Sequence, residues 1–232
     1  MKRHVLLLVL LLTAGIIYSQ DREIVKASSG ENLAEVASTT IQYVFPEFTD
    51  GEVYYRSAAK GSGKINYNML IGEMQFISPE GQILALANVS DVIMVTIGNR
   101  KFYPYTNHKE FTEEIVSGKV QLRVKRKGNA ATHSKMGAYG TSSSTSSISS
   151  YSSIHSGATQ YDLKVQENIL ITVNNLYYLI TDSKYIQVKN QKQFLKQFPD
   201  HKDQIEEYIK ENQISFNKEE NLVGLLKYCN SL

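Results

Sequence analysis

Between Gly51 and Tyr105 apolar and polar residues alternate in short runs. Val53 and Tyr55 alternate with Glu52, Tyr54 and Arg56; Ile65, Tyr67 and Met69 alternate with Asn66 and Asn68; Met74 and Phe76 alternate with Glu73 and Gln75. A repeat of two sends successive side chains to opposite faces, the pattern of a half-buried strand. Val92 to Ile97 is an unbroken apolar and β-branched run and reads as a central strand. Ser78-Pro79-Glu80-Gly81 places Pro second and Gly fourth, as a type I turn prefers. Gly98-Asn99 suits a two-residue hairpin, because both residues tolerate positive φ. The intervals between these runs are too short for helical crossovers, so the predicted pairing is an antiparallel meander.

Further along, Glu110 to Val116 is predicted as a short helix and Lys119 to Arg126 as a strand, with Val120, Leu122 and Val124 facing the core and Gln121, Arg123 and Lys125 facing out. Ile169 to Val173 and Leu176 to Ile180 flank Asn174-Asn175, which reads as another hairpin turn. Between these regions the composition changes abruptly. Thr141 to Ser156 holds ten serines and two threonines. Such a tract cannot bury enough apolar surface to offset its ordering entropy, so a disordered loop is expected over about 129–159, interrupting a sheet. The C-terminus turns to helical spacing. Ile205, Tyr208 and Ile209 lie at i, i+3 and i+4, and Leu222, Leu225, Leu226 and Cys229 at i, i+3, i+4 and i+7. Asn217 with Glu220 three residues later resembles a capping box at the start of the last helix. The predicted fold is α+β and mainly β: a curled sheet or partial barrel, with C-terminal helices over about 190–230.

Met1 to Gln20 reads as a signal peptide, with Lys2 and Arg3 as its positive region and Val5 to Tyr18 as its apolar stretch. That stretch is short of the roughly 20 residues of a spanning helix. Cleavage after Ser19 or Gln20 leaves one domain, residues 21–232, exported to the periplasm or outer envelope of a Gram-negative bacterium. The leader changes the charge picture as well. The whole chain has 25 basic and 23 acidic side chains, and losing Lys2 and Arg3 makes the remainder neutral. A neutral domain gives no argument for nucleic acid as partner. The single Cys229 excludes an intramolecular disulfide framework, and its place on the helical stripe marks it as a core residue.

Candidate chemistry is sparse. Gly61-Ser62-Gly63-Lys64 lacks the first glycine and the Ser or Thr that a phosphate loop requires, and it reads as a flexible hairpin loop. His108, His133, His155 and His201 stand at no metal-ligand spacing, and no Gly-x-Ser-x-Gly elbow is present. No cofactor, no metal site and no catalytic residue is expected. Lys119, Arg123, Lys125, Arg126 and Lys127 form a basic cluster with no acid among them. They are candidates for contact with an anionic surface such as phosphate-bearing lipid. The competing reading is an edge strand blunted by positive charge.

Ile65-Asn66-Tyr67-Asn68-Met69-Leu70-Ile71-Gly72-Glu73-Met74-Gln75-Phe76-Ile77, followed by Ile83-Leu84-Ala85-Leu86-Ala87-Asn88, resembles a segment of uncharacterised exported β-rich proteins of the Bacteroidetes. Ala138-Tyr139-Gly140-Thr141, Ser150 to Ile154 and the ending from Phe198 through Glu220 are similar to theirs too. The resemblance implies an exported, envelope-located β-rich domain and assigns no functional residue. The expected function is therefore a non-catalytic binding or interaction module, whose partner is an envelope protein or a lipid. Two alternatives are a carrier of an apolar ligand, lined by residues such as Met69, Phe76, Ile93 and Val95, and a hydrolase whose site is assembled from distant residues.

Overall fold

The period-two segments pair into one antiparallel sheet in a computed structural model, which describes residues 22–27, 36–105, 110–132, 167–182 and 184–232. Its strands are β1 (Arg22–Ala27), β2 (Thr49–Tyr55), β3 (Lys60–Asn68), β4 (Glu73–Ile77), β5 (Ile83–Ala85), β6 (Val92–Ile97), β7 (Arg100–Pro104), β8 (Phe111–Val116), β9 (Gln121–Thr132), β10 (Glu167–Thr181) and β11 (Lys184–Gln187). Across the sheet the order is β1-β10-β9-β8-β7-β6-β2-β3-β4-β5, and β11 lies beside β10. Two meanders, β2 to β5 and β6 to β10, are thus joined back to back through the β2–β6 pair. The sheet is open, ending at β5 on one side and at β1 and β11 on the other.

Two expected turns form as their residues dictate. Gly81 N–H donates to Ser78 O at 2.9 Å, closing the Ser78–Gly81 turn between β4 and β5. Gly98-Asn99 joins β6 to β7 with Ile97 opposite Arg100, and Gly98 takes φ +57°. Elsewhere pairing overrides local preference. Glu110–Val116 was expected as a helix, yet Phe111–Val116 is strand β8, paired with β7 and β9. A seven-residue helix is marginal by itself, and backbone bonding to neighbours on both sides outweighs it. Asn174-Asn175 is no turn either: β10 runs straight through, in unbroken register with β9 from Ile169↔Thr132 to Ile180↔Gln121. The reversal comes at Asp182, whose φ is +47°. Gly61–Lys64 lies within β3 instead of a hairpin loop, and the turn precedes it at Arg56–Ala59, where Ala58 N–H donates to Tyr55 O at 3.1 Å.

The serine tract, the leader, His108, His133 and His155 lie outside the described residues. The strands on either side of the tract, β9 and β10, are neighbours in the sheet.

Among the described residues, four α-helices follow or flank the strands: α1 (Thr39–Gln42), α2 (Gln191–Leu195), α3 (Lys202–Glu211) and α4 (Glu219–Cys229). Leu222, Leu225, Leu226 and Cys229 of α4, with Ile205 and Ile209 of α3 and Phe194 of α2, bury against Leu122, Val124, Tyr177 and Leu179 of the sheet. Cys229 is a core residue, as its stripe predicts, and burial pushes its thiol up to about 12. The expected cap does not form. Lys218 occupies the N-cap of α4, and no side chain caps it. A cap forms instead at α2, where Asn190 accepts from Gln193 N–H at 3.0 Å and Gln193 accepts from Lys189 N–H at 3.1 Å. The C-terminus is tied down by Asn230, whose side chain accepts from Val120 N–H and donates to Val120 O. Only glycine fits the neighbouring position 118: a Cβ there would stand 2.5 Å from Asn230 Nδ2.

A second apolar cluster joins Val53, Tyr67, Met69, Met74, Val92, Val95, Phe102 and Phe111, and a third joins Val25, Ile41, Leu70, Ile169 and Ile171. Met69 and Val95 are thus packed within the sheet's own core. Ile93, by contrast, is 50% exposed. The register of β2 on β6 slips here, from Tyr54↔Met94 to Tyr55↔Val92, and leaves Ile93 unpaired. A bulge of this kind turns one residue out of the alternation.

Candidate functional site

The predicted basic cluster does not survive as one surface. β9 lies between β8 and β10, so it is an interior strand and the edge-strand reading is wrong. Alternation along β9 then divides Arg123, Lys125, Arg126 and Lys127, while Lys119 precedes the strand. Lys119 and Lys127 are exposed, while Arg123 and Lys125 are buried on the face away from α4. Arg126 sits on the helix-covered face, beside Glu113 and Glu219.

On that face, charges alternate in a chain. Arg100 grips Glu113 with two hydrogen bonds, Nε to Oε1 at 2.5 Å and Nη2 to Oε2 at 2.6 Å. Arg126 Nε donates to the same Glu113 at 2.9 Å, and its Nη1 lies 3.1 Å from Glu219 Oε2. Glu219 stands in the first turn of α4, where a carboxylate also favours the helix dipole. The Arg100 guanidinium stacks 4.6 Å from the Phe45 ring centre. Burial works to raise the Glu113 carboxyl, but the bonds and charges of Arg100 and Arg126 outweigh it and hold it below the usual carboxylate value. Burial likewise works to lower Arg126, and the facing Glu113 and Glu219 reverse that effect. Glu113 and Arg126 are thereby held in their charged forms, and the network joins sheet to helix.

The opposite face carries an aromatic cluster. Tyr105, Tyr178 and Tyr185 meet with ring centres 5.1 to 6.0 Å apart. Arg123 lies 3.7 Å over the Tyr103 ring and donates to Tyr185 Oη at 2.8 Å and to Gln121 Oε1 at 2.8 Å. Lys125 pairs with Glu110 above the Tyr105 ring. Arg123 and Lys125 are thus each stacked on tyrosine rings and hydrogen-bonded within the protein. Burial raises the Tyr178 phenol well above its ordinary value, so it stays protonated and is no nucleophile. Among the tyrosines of the described residues, Tyr43, Tyr67, Tyr177 and Tyr178 are buried, while Tyr54 is partly exposed beside Lys60 and Glu52.

The outermost strand on the far side is β5, and its whole length is exposed. Ile83 is 53% exposed and Leu84 41%, and Ile77, paired opposite Ile83 on β4, is 37% exposed. Edges are usually blunted by shortness, lysine, proline or a bulge against unwanted pairing, and β5 is short, at three residues. Ile83, Leu84 and Ala85 themselves carry no charge and no proline. The sequence held this signal in the run Ile83 to Ala87, which periodicity alone does not separate from a buried strand.

His201 shares a 3.2 Å hydrogen bond with Gln204, and among the described residues no serine or carboxylate hydrogen-bonds to it. Among the described residues, no three His, Cys, Asp or Glu side chains converge at metal-binding distance, and no helix is long and apolar enough to cross a membrane. No protein-family model matches the chain, and neither the curated proteins nor the solved structures yield a match.

Proposed function

We propose that the chain is an exported module of the bacterial cell envelope that binds a partner protein by strand pairing at the β5 edge and performs no catalysis of its own. The observation that carries this reading is the exposed apolar edge formed by Ile83 and Leu84, beside which no further strand lies among the described residues. A partner strand laid against β5 would satisfy its outward backbone groups and cover its side chains, so main-chain bonds supply affinity and the isoleucine and leucine contacts supply selectivity. The buried ion network and the tyrosine cluster brace the sheet that presents this edge. The leader supports export.

The test is native mass spectrometry of the protein purified from its own envelope, wild type beside Leu84→Lys. Leu84 is 41% exposed, so the variant is expected to fold with a stability within about 0.5 kcal/mol of wild type. The expected result is a protein partner that co-purifies with wild type and is lost from Leu84→Lys. A partner retained equally by both chains would overturn the edge as its site, and a retained lipid with no protein would replace this reading with that of a carrier.

A further inference from the structure

From Lys184 to Pro199 the chain carries four lysines and no acid. Two of them, Lys192 and Lys196, lie four residues apart along α2, and Lys196 keeps right-handed helical angles as its C-cap. Side chains at that spacing share one helix face, and like charges there repel. A short connector leads on to Lys202, the first residue of α3. Between α2 and α3 lies a crevice of about 780 Å³, lined by Lys192, Lys196 and Lys202, all three exposed. Leu195, itself buried, and Pro199 give it apolar lining, to which the methylene stems of the lysines add. Gln191 Nε2 donates to Glu206 Oε1 at 3.3 Å, tying α2 to α3. Asp200 and Asp203 are close in sequence but do not line the crevice. Among the described residues none of the three ammonium groups forms an ion pair.

The charges of this lining narrow what it can hold. Three lysines against one glutamate leave it a net charge of +2. A phosphate esterified once carries about −1.5 to −2 near neutral pH, whereas a carboxylate carries a single charge. The lining holds no arginine. Arginine's planar fork matches a carboxylate through two parallel bonds, while lysine meets phosphate as a point charge. The apolar lining and the volume, within the roughly 300–1,000 Å³ of small-molecule sites, call for more than a bare phosphate. We infer that the crevice between α2 and α3 binds a phosphate monoester that carries an apolar group. The phosphate is held among Lys192, Lys196 and Lys202, and the apolar group lies on Leu195 and Pro199. A bound dianion relieves the repulsion between Lys192 and Lys196, which no acid in the crevice neutralises. The site belongs to the helices packed on β9 and β10, whereas β5 ends the sheet on the far side, so the two sites stand independently.

The experiment titrates octyl phosphate into the purified protein at pH 7 by isothermal titration calorimetry, beside octanoate and inorganic phosphate. The expected result is a single octyl phosphate per chain, bound about tenfold or more tighter than either comparison compound. Lys192→Gln combined with Lys196→Gln is expected to weaken octyl phosphate about tenfold. Lys210→Gln combined with Lys227→Gln removes two exposed lysines outside the crevice and is expected to change its affinity by no more than about twofold. Equal affinity for octyl phosphate and octanoate would overturn the match to a doubly charged phosphate. Equal affinity for octyl phosphate and inorganic phosphate would remove the apolar lining from the site. Equal weakening by the two double variants would reduce the binding to general charge attraction and overturn the crevice as its place. Failure of octyl phosphate to bind at all sinks the inference outright, and none of these results bears on strand pairing at β5.

Discussion

Replacing Glu113 by leucine would leave two arginines facing each other across β8 with no carboxylate between them. Glu113 is 5% exposed and accepts three hydrogen bonds, two from Arg100 and one from Arg126. Breaking a buried pair by removing one partner costs about 3–5 kcal/mol, because the remaining charge is stranded. Two features place the expected cost at the lower end. Arg126 keeps Glu219, and the Arg100 side chain is 29% exposed and can turn toward water. A loss of about 3 kcal/mol lowers Tm by roughly 6–12 °C in a domain of this size. The pH dependence separates charge from packing. Glu113 has a depressed pKa in the folded protein, so its contribution is fully present above the unfolded value of about 4.3 and is lost as pH falls through the lower folded value. Thermal unfolding followed by circular dichroism should therefore show a large gap between wild type and Glu113→Leu at pH 7 and a smaller one at pH 3. A Tm drop below about 2 °C at pH 7, or an equal gap at both pH values, would refute the reasoning.

Two further outcomes test the packing. Gly128→Ala sets a Cβ 2.4 Å from Leu70 Cδ2 and 3.0 Å from Leu70 Cα, where Gly128 N–H bonds Met69 O, so urea unfolding should show a loss of about 1–3 kcal/mol. Gly63→Ala, with nothing within 4 Å of the new carbon, is the control and should lose less. Cys229 is 7% exposed and its thiol is pushed up to about 12, so a maleimide at pH 8 should leave the native protein unlabelled and modify it only after unfolding.

Hydrogen-bonding demands across the sheet explain where local reading succeeded and failed. Features set by neighbours in sequence were legible: the Ser78–Gly81 and Gly98-Asn99 turns, the strands β2 to β4 (though Asn66 and Asn68, expected on the outer face of β3, are buried), and the stripe that buries Leu222, Leu225, Leu226 and Cys229. Features set by distant partners were not. Phe111–Val116 extends because β7 and β9 flank it, and Asn174-Asn175 stays straight because twelve consecutive residue pairs with β9 hold it. The basic cluster shows the same limit. Its residues are contiguous in sequence, yet a strand sends alternate side chains to opposite faces, and each face supplied its own acids and tyrosines.

The sequence by itself determined a mainly antiparallel fold with a helical C-terminus, because period-two and period-3.6 patterns are local consequences of side-chain direction. Strand order, the charge pairs and the exposed β5 edge were decided only in three dimensions. Each depends on which strand lies next to which, and no local pattern encodes a neighbour dozens of residues away.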